Sequence, residues 1–191
     1  MKPVNASLLR GATIVVLLPW VAMATVAGSS PPSRYVDHDA CPFECCTYGH
    51  WVVEKDTVIR ASPRRDSKKI AVLKEGMKVE ALTGDVVVVP SHFHVKQAHG
   101  EDRPGDILSV YTYTGEGVFK VWRDGRMSEE ELGFSAYPGG IPDNRCSDRP
   151  TCWGELDKPL HMIWWIQLRD EHGVEGWSDK QGNFSGSDAC G

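Results

Sequence analysis

Short apolar runs that alternate with polar residues, each stopped by a glycine or a proline, recur through most of this chain. From Trp51, "WVVEKDTVIRASP" alternates around Val53, Val58 and Ile59 and ends at a Ser-Pro turn. "KKIAVLKEGMKVEAL" predicts two strands, Ile70 to Leu73 and Met77 to Leu82, joined by Lys-Glu-Gly. "GDVVVVP" is a β-branched run closed by Pro90. "GDILSVYTYTGEGVFKVWRDGRM" predicts strands from Ile107 to Thr112 and from Val118 to Trp122, with turns at Gly115-Glu116-Gly117 and Asp124-Gly125. A period of two with closely spaced turn signals belongs to a small barrel or sandwich. One helical signal stands out: in "SEEEL", Ser128 as N-cap and Glu131 three residues on form a capping box, which predicts a single turn. The expected fold class is mainly β, with little helix.

Residues 1–27 differ in kind. Lys2 and Arg10 precede an apolar run from Ala12 to Ala27, closed by the small residues of Ala22-Met23-Ala24 or Thr25-Val26-Ala27. Charge order, length and exit site predict a secretory signal, with a retained N-terminal anchor as the other reading. The expected location is periplasmic or secreted, without stable membrane insertion after cleavage. Residues 28–50 read as a polar, proline-containing linker followed by a cysteine cluster.

Export gives the six cysteines a meaning, since an even count in an oxidising compartment implies disulfides. "CSDRPTC" predicts a local bridge, Cys146 to Cys152, across a turn-forming Asp-Arg-Pro. A bridge from Cys190 to the cluster Cys41, Cys45 and Cys46 would tie the mature ends together, worth about 4 kcal/mol in the chain-entropy account. Cys41 would then pair with Cys45 or with Cys46. Zinc is disfavoured, because "CPFECC" lacks knuckle spacing and no second knuckle follows. Removing Lys2 and Arg10 from the 21 basic residues leaves 19 against 26 acidic ones. With no basic block interleaved with aromatics, nucleic acid and anionic lipid are not the expected partners.

Two stretches resemble each other: Glu75 to Leu82 aligns with Pro104 to Tyr111, and Val118 to Met127 with Trp164 to Trp177. The order of signals resembles the bacterial Src-homology-3-like (SH3-like) family, whose pattern runs "lNVRsgPs", "vig.l.kGd.veVl", then "W.kV.l.dG..GWv". "DTVIRASPRRDSKKIAVLKEGMKVEAL" resembles the first half, and "WWIQLRDEHGVEGW" the second, with Gly176-Trp177 in the Gly-Trp place. The chain departs from the family at Ser178, where a valine is usual, and in the long separation of the halves. The resemblance implies a barrel from residues 51–90 plus 160–185, interrupted by a second, weaker β unit at 91–159 that carries the disulfide-pinned loop.

In "WWIQLR", Trp164, Ile166 and Leu168 share one face, with the composition of a core. Trp177 is expected to be buried too. Trp165 falls on the polar face and either lines a groove or packs on the inserted unit. Tyr111 and Tyr113, with Trp122 nearby, are candidates for a stacking surface. The resemblance implies that such rings hold an extended peptide of an envelope protein, or peptidoglycan. No cofactor is expected. "SHFHVKQAHGED" offers a rival reading, a metal site through His92, His94 and His99. A cell-wall hydrolase is the remaining alternative. It would need a free cysteine activated by histidine, and all six cysteines can be paired.

Overall fold

The structure, a computed structural model, describes residues 30–123, 125–133 and 153–190. The expected signal segment and the Cys146–Cys152 pair lie outside them. The chain is mainly β. In chain order the strands are β1 (Tyr35–Asp37), β2 (Gly49–Val53), β3 (Thr57–Arg60), β4 (Lys69–Leu73), β5 (Lys78–Val89), β6 (Ser91–Val95) and β7 (Ile107–Gly115). They continue as β8 (Val118–Arg123), β9 (Arg126–Glu131), β10 (Gly154–Leu156), β11 (His161–Asp170), β12 (Glu175–Ser178) and β13 (Phe184–Ser185). A 3-10 turn at Gln181–Asn183 precedes the last.

Two sheets result. The first runs β13-β2-β5-β11-β12-β3-β4, with β1 added beside β5, and the second runs β10-β6-β7-β8-β9. Setting aside β1 and the β3–β4 hairpin, both follow one rule. The fifth strand of the unit pairs with its first, followed by second, third and fourth. The second sheet is inserted between β5 and β11, which are themselves paired from His161↔Val89 to Asp170↔Val79. The start and end of the insertion therefore lie opposite each other, so it leaves the first sheet's ladder unbroken. In the second sheet, Trp153 Nε1 donates to the Glu131 carbonyl at 3.0 Å, joining the start of β10 to the end of β9.

Several sequence expectations change. The runs "KVEAL" and "VVVV" merge into one 12-residue strand through Gly84, because β11 offers a continuous partner along both. The expected linker is partly structured: Tyr35–Asp37 pairs with Val86–Val88 of β5. The capping box forms no helix. Arg126–Glu131 is a strand paired with β8, after a turn in which Gly125 takes φ 86°. A single helical turn is a costly nucleus, and six cross-strand pairs outweigh it. Trp177 is half-buried rather than buried, while its neighbour Gly176 is enclosed. A Cβ at Gly176 would stand 2.9 Å from Ile59 Cβ, so the glycine admits the isoleucine and leaves the indole on the outer face.

One hydrophobic cluster runs through both sheets. In the first, Trp164 lies 6.0 Å from Trp51 and 5.7 Å from Phe43, ring to ring, and Trp51 lies 5.9 Å from Phe184. Tyr48 joins them, its hydroxyl donating to the Ala40 carbonyl at 2.6 Å. Gly84 makes this cluster possible: an added Cβ would overlap Trp164 Nε1 and lie 2.6 Å from the Tyr48 hydroxyl. Two disulfides, Cys41–Cys46 and Cys45–Cys190, close the N-terminal loop and tie it to the far end of the chain. Of the two partners left open for Cys41, it takes Cys46.

Gly84→Ala is expected to cost about 1–3 kcal/mol of unfolding free energy through overpacking, read as a lower urea midpoint. Burial pushes the Tyr48 hydroxyl up to about 12, partly offset by the Trp164 indole. The unfolded chain, with tyrosine near 10, loses that proton first, so stability falls as pH rises from about 10 to about 12. Tyr48→Phe should flatten this window. Urea midpoints that decline as steeply in the variant as in the native chain would count against it.

Candidate functional site

The aromatic residues singled out from sequence separate into core and surface. Tyr111 and Tyr113 are fully buried, and Trp165 is 3 % exposed. None of the three presents a face to a ligand. Their hydroxyls explain why tyrosine stands at the two core positions. Tyr111 donates to the Pro32 carbonyl at 2.7 Å and stacks edge-on with Tyr35. Tyr113 reaches a Glu44 carboxylate oxygen at 3.1 Å. Both therefore bind the N-terminal segment across the second sheet. Trp165 faces away from the aromatic cluster yet is buried, so β11 is covered on both sides there.

Trp122 is different. It is half-buried on β8, opposite Ser109 of β7 and Met127 of β9. It lines an open groove of about 360 Å³ together with Pro31, Glu101, Asp106, Ile107 and Arg123. Ile107 is 57 % exposed, the most exposed large apolar side chain among the described residues. The lining of the groove is mostly polar, with Trp122 and Ile107 as its apolar contacts for a ligand, and the carboxylates decide its charge.

The floor is held by a charge network. Arg123 Nη2 donates to Asp102 Oδ2 at 2.6 Å, and its Nη1 lies 3.0 Å from Glu130 Oε1. The Asp102 side chain is 6 % exposed, and burial pushes its carboxyl up against the opposing pull of Arg123. Arg123 is thus neutralised from within, whereas Glu101 stands exposed on the rim. Asp106 accepts the Arg103 backbone N–H at 2.7 Å, which positions it at the turn before β7. The groove is acidic on balance.

Among the described residues the three histidines do not converge as a set of metal ligands. His92 and His94 share the outer face of β6, but His92 is bound to Asp157, Nδ1 to Oδ2, at 3.0 Å. His99 stacks on Trp153 with ring centroids 4.5 Å apart and 11° between planes. Among the described residues, three such ligand atoms come within 4.8 Å of one another at Cys45, Asp188 and Cys190, where the two sulfurs are joined. None of the three histidines enters that group. Sequence reasoning named Trp122 as a surface ring, but it did not assign Glu101, Asp102, Asp106, Ile107 or Arg123 to a shared groove. The available signal was Ile107 beginning a strand directly after a Gly-Asp turn, with no partner to cover it.

Comparison with family models, curated proteins and solved structures finds no match to this chain.

Replacing Arg123 with Met strips two carboxylates of their partner, one of them almost wholly enclosed. The loss expected from leaving a buried charge unpaired is about 3 kcal/mol. Thermal melts at neutral pH measure it, and a melting temperature within a degree of the native one would contradict the assignment.

Proposed function

We propose that the protein is an exported, non-catalytic binding module made of two SH3-like barrels, one inserted into the other. The groove beside Trp122 takes an extended peptide carrying a cationic side chain. Support for the architecture comes from the shared strand order of the two sheets and from Gly176-Trp177 on the fourth strand of the first. Support for export comes from the apolar, positively headed N-terminal stretch and from two disulfides with no free cysteine among the described residues. The observation that carries the binding reading is the groove itself. An exposed isoleucine and an indole lie under an acidic rim, beside a network that leaves Glu101 and Asp106 unneutralised by Arg123.

The ligand chemistry follows. The indole and Ile107 offer apolar contact, and the rim carboxylates attract a lysine or arginine side chain that the indole face also favours. A partner protein of the envelope would supply such a segment, and so would the stem peptides of peptidoglycan. A labelled peptide with lysine among apolar residues should bind, with affinity lowered about ten-fold by Trp122→Ala and weakened by salt. Titration by fluorescence anisotropy measures this, and co-sedimentation with sacculi forms the second arm. Equal binding by the native chain and Trp122→Ala, or retention of neither peptide nor sacculi, rules the reading out.

A further inference from the structure

The β3–β4 hairpin is charged unlike the rest of the molecule. Between positions 60 and 74 it carries six cations, Arg60, Arg64, Arg65, Lys68, Lys69 and Lys74, against the single acid Asp66. The chain as a whole has net charge −5. Three of the six are paired within the protein: Arg64 with Asp66, Arg65 with Asp179 and Lys74 with Asp56. Arg60 is turned onto the Ser67 carbonyl at 2.9 Å. Lys68, just before β4, and Lys69, its first residue, are exposed.

β4 is also the terminal strand of the first sheet, paired only with β3. The ladder shifts register between Ala71 and Lys69 and leaves Ile70 as a bulge, so the regular free edge is Ala71–Leu73, whose outward backbone N–H and C=O groups meet no strand among the described residues. On its outer face Ile70 is 41 % and Val72 49 % exposed, while Leu73 and Ile59 are buried inward. Val72 sits opposite Val58, which extends the apolar strip onto β3. Solvated edges are commonly blunted by lysine, but lysine alone does not account for two exposed β-branched side chains on the same short strand.

We propose that β4 is a second docking edge, which takes an extended acidic segment with apolar residues at alternate positions. The open backbone edge supplies ladder hydrogen bonds, Ile70 and Val72 supply contacts to every second side chain, and Lys68 and Lys69 receive the carboxylates. Charge disfavours a second copy of this chain as the occupant, although Lys74 is partly neutralised by Asp56. An antiparallel β4–β4 pair centred on Ala71 would set Lys68 against Lys74 at both ends. An anionic bilayer meets the cations but leaves the edge N–H and C=O groups unsatisfied in hydrocarbon.

The test uses the full, oxidised chain and a labelled peptide of alternating glutamate and valine, read by fluorescence anisotropy. Binding should fall about ten-fold or more in Lys68→Glu/Lys69→Glu, and also in Ile70→Ser/Val72→Ser. It should be absent for the same peptide N-methylated at alternate amides, and unchanged in Trp122→Ala. No binding by the parent peptide overturns the proposal, as does equal binding by the methylated one. Sedimentation with phosphatidylserine vesicles in place of peptide binding overturns it too.

Discussion

The pairing of β5 with β11 is the constraint on which the architecture rests. Ten residue pairs join two strands that are far apart in sequence, and the whole second unit hangs between their ends. Loop-closure entropy grows only slowly with length, so an inserted unit with its own sheet adds little to the cost of bringing these strands together. One edge of β5 is taken by β11. The other is shared, with Lys78–Ala81 facing β2 and Val86–Val88 facing β1. Gly84 falls between those two partners, where Ala40 N–H donates to its carbonyl at 2.8 Å. At that point the backbone must also pass close to Trp164 and Tyr48.

The N-terminal segment then locks the two units. Its strand β1 belongs to the first sheet, while its side chains reach the second. Lys120 Nζ donates to Asp37 Oδ1 at 2.7 Å, Glu44 receives the Tyr113 hydroxyl and the Glu116 backbone N–H, and Pro32 receives the Tyr111 hydroxyl. Burial pulls the Lys120 ammonium down, but the Asp37 carboxylate outweighs it and holds the ammonium above its ordinary value. The two disulfides fix the same segment from its other end. Inter-unit interfaces within a chain are ordinarily loose; here a single strap with covalent anchoring crosses the boundary.

Charge is segregated on this framework. The groove of the second unit is acidic, and the β3–β4 hairpin of the first is basic. The aromatic rings, which in composition look like binding equipment, are mostly spent on the interior. Trp51, Tyr111 and Tyr113 each find a hydrogen-bond acceptor inside the fold, whereas Trp164 packs on the Trp51 ring with its Nε1 buried and without an acceptor among the described residues. Buried tyrosine and tryptophan need such partners for their polar ends, and the strap provides most of them.

Alternation and turn residues were enough to read a mainly β chain, and β4 and β8 lie within a residue of where the pattern puts them, whereas β7 runs three residues further and β1, β9, β10 and β13 were not expected as strands. The inward set Trp164, Ile166 and Leu168 was legible for the same reason, since side chains on a strand alternate whatever the partner. So was the reach of Cys190 back to the N-terminal cluster, though its partner was open. The pattern could not separate the two faces of β11, because burial on both sides depends on what packs there. It could not see that "SEEEL" would be a strand, because pairing with β8 overrides a local cap. Nor could it place Tyr111 and Tyr113, whose acceptors come from residues about seventy to eighty positions earlier. By itself the sequence determined strand content and the polarity of each strand, which are local properties of the backbone and its neighbours. Only the tertiary structure decided which rings are core and which carboxylates share a groove, because both depend on segments brought together by pairing at long range.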